Sequence, residues 1–148
     1  VGIQRWLGIR SCTELFESAA HLVQTTSVLR NPVFVGGENY NGTPSMTKHL
    51  LLQAQLTTHF AEDVAALPKA VFVPLGDKVA EALHFLADQE LIDRARILDG
   101  LPHPSGANAE RIAYFLGRKA RHELSVKTNP AKLEKARASL QQRVLALA

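Results

Sequence analysis

The hydrophobic pattern of the chain predicts four amphipathic helices. In each, apolar residues recur every three or four positions, which places them on one face of a helix. Asp77 and the pair Asn129-Pro130 are suitable cap and first-turn residues for two of these helices. The predicted helices, with the apolar residues of each, are 47–67 (Leu52, Leu56, Phe60, Val64, Leu67), 77 onward (Val79, Leu83, Leu86), 107–121 (Ile112, Phe115, Leu116) and 130 onward (Leu133, Leu140, Val144, Leu147).

Short apolar runs between the helices predict three strands, at 21–26, 70–75 and 96–101. Strands that alternate with helices are typical of a parallel sheet with helices on both sides. We therefore expect an α/β fold, a three-layer α/β/α sandwich with a central, mostly parallel sheet, as a single domain over residues 1–148. The segment 31–45 is rich in Asn, Gly and Pro and predicts a long loop.

Ligands of such sheets bind at the carboxyl ends of the strands. Gln24, Gly76 and His103 all lie near the carboxyl ends of predicted strands. We therefore expect them to line one crevice.

Composition narrows the class of protein. The chain is 46% hydrophobic and 21% charged, as in ordinary soluble globular proteins, and no run approaches the roughly 20 apolar residues of a membrane span. A single cysteine, Cys12, excludes an internal disulfide framework and a four-cysteine iron–sulfur cluster within the chain. No secretory signal is visible, and we expect a cytoplasmic protein.

Positive charge is concentrated at the end of the chain. Residues 109–148 hold nine Lys or Arg against three Glu, a net charge of +6, whereas the other 108 residues sum to −3. A basic region on a near-neutral body suits a polyanionic partner, although a solvated helix face would have the same composition.

The most informative motif is the run from Ile97 to Asn108. Two prolines flank His103, and Ser105, Gly106 and Asn108 then open a predicted helix. This arrangement fixes an imidazole beside the free N–H groups of a helix start, which attract phosphates and other anions. Ser105 also suits a plain helix cap.

The sequence His103-Pro104-Ser105 at a strand-to-helix turn resembles the second signature motif of the uracil-DNA glycosylase superfamily. The resemblance implies that His103 is catalytic and stabilises negative charge on a carbonyl of the departing uracil. It also implies that Ser105 grips the DNA backbone. A histidine held in a tight turn for structural reasons is the alternative.

The predicted strand at 21–26 resembles a second part of that family, in which an Asn at a strand end binds the edge of uracil. Gln24 takes this position when the sequences are aligned without gaps, and Thr25 takes it if the register differs by one. A side-chain amide offers the donor and the acceptor that uracil requires. Because Gln is one methylene longer than Asn, the base preference stays open.

The residues after Ser105 occupy the place of the family's DNA-wedging loop. Several members carry a bulky residue there, which holds the gap left by an extruded base. This chain has Gly106 and the small Ala107, so Asn108 or Arg111 would have to substitute. This departure puts double-strand activity more in doubt than single-strand activity.

The family's first motif, a loop with an Asp or Asn that positions the attacking water, has no counterpart in the residues before the strand at 21–26. We therefore expect the chain to be the C-terminal part of a longer glycosylase-like domain, with the water-activating residue located before Val1.

The leading hypothesis is a DNA-repair glycosylase that hydrolyses the N-glycosidic bond of uracil or a related deaminated base. No metal or organic cofactor is expected, and the chain alone should be inactive. The alternatives are a non-catalytic nucleic-acid or nucleotide-binding module of the same fold, and an unrelated α/β hydrolase that uses Ser105. The sequence does not predict the oligomeric state.

Overall fold

The computed structural model describes residues 1–147, and this part of the chain is mostly helical. Its five α-helices are α1 (Ile3–Trp6), α2 (residues 50–65), α3 (Asp77–Asp88), α4 (Ala109–Phe115) and α5 (Pro130–Leu145). Short 3₁₀ turns lie between them at Cys12–Phe16, Ala20–Leu22, Arg94–Arg96, Gly106–Asn108 and Arg121–Glu123.

The expected three-layer α/β/α sandwich is wrong. In the described residues the sheet is a two-stranded antiparallel hairpin of β1 (Phe34–Val35) and β2 (Glu38–Asn39). The turn residues Gly36 and Gly37 have φ values of 60° and 85°, a conformation that matches the twist of a hairpin and that glycine adopts without a steric penalty. The hairpin lies within 31–45, where an irregular loop was predicted.

None of the three predicted strands forms as such. Residues 21–26 continue from a 3₁₀ turn into irregular, exposed chain. The other two segments meet at one parallel bridge, in which the Phe72 amide donates to Arg96 O and the Leu98 amide donates to Phe72 O, both over 2.8 Å. β-Branched residues favour a strand only where a neighbouring strand pairs with them, and here the pairing stops after one bridge.

The described chain divides into two compact units, 1–26 with 100–148 (unit 1) and 27–99 (unit 2). Unit 2 has its core around α2 and α3, where Leu56, Leu86 and Ile97 are fully buried. The predicted helical stripe of α2 is confirmed from Leu52 to Val64, and only Leu67 lies beyond the helix and is exposed. The middle of α2, Gln55–Phe60, is π-helical.

Unit 1 contains α1, α4 and α5, and α5 packs against both other helices. Ala19, Phe115, Leu140 and Val144 are its buried apolar side chains. The predicted start of α5 is confirmed, because Asn129 Oδ1 accepts a hydrogen bond from the Lys132 amide over 3.1 Å and Pro130 occupies the first turn. The helix predicted at 107–121 is shorter, since α4 ends at Phe115 and Gly117 follows with a φ of 74°.

Candidate functional site

Residues 100–108, which we call the His103 segment, belong to unit 1. The segment begins at Gly100, which lies tightly against helix α5. Gly100 has a φ of 114°, and a Cβ atom there would be 3.2 Å from the carbonyl oxygen of Ala136. Only glycine combines this backbone conformation with so close an approach. The glycine therefore fixes the point at which the chain passes α5, three residues before His103.

His103 is exposed between its two prolines. Within residues 1–147 its imidazole makes no hydrogen bond to the protein. Behind it the backbone turns sharply, because the Ser105 amide donates to the carbonyl of His103 over 2.9 Å. The imidazole therefore belongs to a turn that two prolines and this hydrogen bond hold in place, and it is exposed to a ligand.

Ser105 precedes the 3₁₀ turn Gly106–Asn108 and its backbone is extended. Its carbonyl accepts from the Asn108 amide over 2.9 Å, which closes the turn. Its side chain does not cap the following helix, so the cap role considered for this serine is not observed. The hydroxyl oxygen instead accepts a hydrogen bond from Asn108 Nδ2 over 3.0 Å.

Asn108 and Arg111 continue this chain of contacts. Arg111 Nη1 donates to Asn108 Oδ1 over 2.8 Å, and Arg111 Nη2 donates to the carbonyl oxygen of Lys127 over 3.3 Å. The structure therefore brings Ser105, Asn108 and Arg111 into one hydrogen-bonded row, which also holds the loop before α5. Gly106 and Ala107 lie within the same short segment and are exposed.

The neighbouring Glu110 binds the same loop more tightly. Its carboxylate accepts hydrogen bonds from Thr128 Oγ1, from Lys119 Nζ over 2.9 Å, and from the amide and hydroxyl of Ser125 over 3.1 and 2.7 Å. These bonds, that from Thr128 above all and then those from Lys119 and Ser125, lower the pKa of Glu110 to about 2. Residues 119–128 are thereby folded against the first turn of α4.

The remaining basic residues of unit 1 differ in how they are paired. Lys119 forms its ion pair with Glu110, and Arg121 lies 3.7 Å from Glu134. In contrast, Arg118, Lys127 and Lys135 are exposed and form no ion pair within residues 1–147. Lys127 is the one of these three whose backbone is held by Arg111, so its charge lies on the loop beside the His103 segment.

The structure does not join Gln24 and Thr25 to this segment by any hydrogen bond. Both lie in exposed, irregular chain of unit 1 after the 3₁₀ turn Ala20–Leu22, and their side chains make no hydrogen bond within the described residues. The expected crevice at the carboxyl ends of parallel strands is wrong, since the sheet that would define it is absent from residues 1–147. That Gln24 and Thr25 bind a base stays a prediction from the resemblance.

Two further groups lie in unit 2. Tyr40 packs against the core and donates its hydroxyl to the carbonyl of Pro44 over 2.6 Å, and burial, followed by the nearby Glu81 charge, raises the pKa of this phenol. Tyr40 thus holds the 31–45 segment against the core of unit 2.

Residues 1–147 contain no cluster of three His, Cys, Asp or Glu side chains that could hold a metal ion.

His84 forms the centre of the second group. Its Nε2 lies 2.6 Å from Asp99 Oδ2, and Arg94 Nη1 lies 3.0 Å from its Nδ1. Because arginine can only donate, Nδ1 accepts and Nε2 carries the proton, which the carboxylate accepts. Both ring nitrogens are hydrogen-bonded, which fixes the orientation of the imidazole ring.

Sequence reasoning missed the links to residues 119–128 and the His84 group. The Arg111–Lys127 and Glu110–Thr128 contacts join residues that are 16 and 18 positions apart, and no periodic pattern marks such pairs. One signal was present: Ser125 and Thr128 are hydroxyl residues three apart, directly before the Asn129-Pro130 helix start. Such residues commonly make local hydrogen bonds next to a helix start.

Comparison with known proteins adds one relative. The uncharacterized protein YoxB of Bacillus subtilis (strain 168) is 32% identical to the chain over 129 residues, which are 86% of this chain and 50% of YoxB. The chain thus spans about half the length of this curated relative. No protein-family model and no solved structure matches the chain. In residues 1–147 no helix is both long and apolar enough to cross a membrane.

Proposed function

We propose that the chain provides the uracil-carbonyl donor and a DNA-backbone contact of a DNA-repair glycosylase that removes uracil or a related deaminated base. The observation that carries the proposal is the exposed His103 ring on its ordered turn, two residues from a serine hydroxyl held by Asn108. This sequence resembles the second motif of the uracil-DNA glycosylase superfamily.

In the proposed reaction His103 donates a hydrogen bond to the carbonyl oxygen where charge develops as the N-glycosidic bond breaks. A donor that is already fixed before the reaction needs little reorganisation, which is why such groups contribute strongly to catalysis. The leaving base is activated by hydrogen bonds, and the proposal assigns no cofactor. Gln24, or Thr25, would bind the base edge, and DNA in the cytoplasm is the proposed partner.

The test is single-turnover release of uracil from a single-stranded oligonucleotide by the natural full-length protein. His103→Ala should slow release by roughly 10²–10³-fold, the usual effect of losing one preorganised donor to a developing anion. DNA affinity should change little. His122→Ala is the matched control, because His122 is also an exposed histidine of unit 1 but lies outside the segment. Equal rates for His103→Ala and wild type would remove His103 from the mechanism.

A second candidate is a DNA-binding module without catalysis. One observation favours it: Glu110, the first carboxylate after the motif, is held by Thr128, Lys119 and Ser125 and is not free to position water. Oligonucleotide binding without any uracil release by the full-length protein would support this candidate and reject the glycosylase.

A further inference from the structure

We infer that Asn108 and Arg111 are positioning residues, which turn the Ser105 hydroxyl outward so that it donates to a phosphodiester oxygen of DNA. The inference rests on the proposed function for the identity of its ligand. It gives Asn108 and Arg111 a role beyond the direct DNA contacts that the sequence predicts for them.

The first step follows from the chemistry of Arg111. A guanidinium has donors only, so the Asn108 atom that faces Arg111 Nη1 over 2.8 Å must be the carbonyl oxygen. This settles the orientation of the amide, which is otherwise assigned from its hydrogen-bond network. Its nitrogen then faces Ser105.

The second step concerns the serine proton. Because Asn108 Nδ2 donates to Ser105 Oγ over 3.0 Å, the oxygen is the acceptor in this contact and its own proton points elsewhere. Within residues 1–147 the hydroxyl donates to no acceptor. A ready donor of this kind suits an anionic oxygen, and serine hydroxyls commonly bind DNA phosphates.

The third step explains why arginine occupies position 111. One nitrogen of the guanidinium holds Asn108 and a second holds the carbonyl of Lys127 over 3.3 Å. The planar fork spans two acceptors at once, which an ammonium group cannot reproduce in the same geometry. Arg111 therefore acts through Asn108, and lysine should not replace it.

The first experiment measures binding of a single-stranded oligonucleotide to the 148-residue chain by fluorescence anisotropy. Ser105→Ala, Asn108→Ala and Arg111→Lys should each weaken binding by roughly 3- to 10-fold, the effect of one hydrogen bond. Ser105→Thr, which keeps a hydroxyl, should retain affinity. The control Arg118→Lys makes the same exchange at an exposed arginine without an ion pair in the described residues and should bind as wild type does.

A double-mutant cycle separates positioning from a general structural effect. If Asn108 acts only through the serine hydroxyl, Asn108→Ala should have no further effect on affinity in a Ser105→Ala background. Additive losses, or wild-type affinity for Arg111→Lys, would overturn the inference.

The second experiment needs no ligand. The side-chain amide NMR signals of Asn108 should shift in both Ser105→Ala and Arg111→Lys and stay in place in Arg118→Lys. Unchanged Asn108 signals would overturn the hydrogen-bonded row even if DNA binds. Shifted signals in a chain that does not bind the oligonucleotide would instead reject the phosphate contact and the proposed function while leaving the row intact.

Discussion

Ser125 donates its hydroxyl to Glu110 Oε2 over 2.7 Å, and this contact ties the loop before α5 to the first turn of α4. Glu110 also holds Lys119 and Thr128. The loop before α5 is therefore held by a carboxylate that touches none of the residues assigned to base or DNA binding. Arg111, the next residue, completes the attachment through Lys127.

The acid stability of unit 1 should depend on Glu110. Its pKa in the folded chain is about 2 against an ordinary 4.5, so the ionised group stabilises the folded state above pH 4.5, and this contribution is lost as pH falls towards 2. We expect Glu110→Gln to lower the Tm at neutral pH, and the difference from wild type to shrink across that window. Thermal unfolding followed by circular dichroism at several pH values measures both.

Glu17→Gln is the control for this experiment, because Glu17 is exposed and its side chain makes no hydrogen bond in the described chain. Its Tm should match that of wild type at every pH. A Glu110→Gln deficit that stays constant from neutral pH to pH 2 would show that ionisation of Glu110 is not the cause.

Gly100→Ala should destabilise the chain by roughly 1–3 kcal/mol, because it forces a side chain into a left-handed conformation and against Ala136 O. Gly106→Ala is the matched control for stability. Its φ is not positive and no atom lies within 4 Å of a Cβ built there. Equal free energies of unfolding for the two variants, measured by chemical denaturation, would contradict the close approach of Gly100 to α5.

The His84 group makes a prediction about a tautomer. Nitrogen-15 NMR of the neutral imidazole should show the proton on Nε2, since Nδ1 accepts from Arg94. His84→Leu should lower stability by about 1 kcal/mol, a modest figure because both partners are partly exposed. A proton on Nδ1 would contradict the arrangement of Arg94 and His84.

Helices were predictable from this sequence because their signals are local. The stripe from Leu52 to Val64 and the cap at Asn129 each lie within one element, and both are present in the structure. The strand predictions were wrong because a strand forms only when it pairs with a segment that is distant in the chain. Residues 70–75 pair through a single bridge, between Phe72 and Ile97. The hairpin was missed because Gly36-Gly37 was assigned to a loop, although a Gly-Gly pair directly after the strand-forming run Val33-Phe34-Val35 is a hairpin signal.

For the candidate site, the sequence placed His103, Ser105, Asn108 and Arg111 together because they are near neighbours in the chain. It could not predict what each touches. Arg111 was expected to contact DNA directly, whereas its nitrogens hold Asn108 and Lys127. Both acceptors are neutral, so Arg111 keeps its positive charge, and its direct contact with DNA stays a prediction. The exposed Lys127, whose backbone Arg111 holds, places a second positive charge on the same loop.

The chain should bind single-stranded DNA weakly and release little or no uracil, because the residues before 21–26 hold no counterpart of the family's water-positioning motif. Affinity should fall steeply with rising salt, since each neutralised phosphate releases a counterion.

Lys127→Gln should flatten the slope of log affinity against log salt by about 0.7 if Lys127 neutralises one phosphate of a single strand. Lys48→Gln, at an exposed lysine of unit 2, should leave that slope unchanged. Anisotropy titrations at several salt concentrations measure both variants. A salt-independent affinity would deny the backbone contact, and efficient uracil release would mean that the water-positioning group lies within these 148 residues.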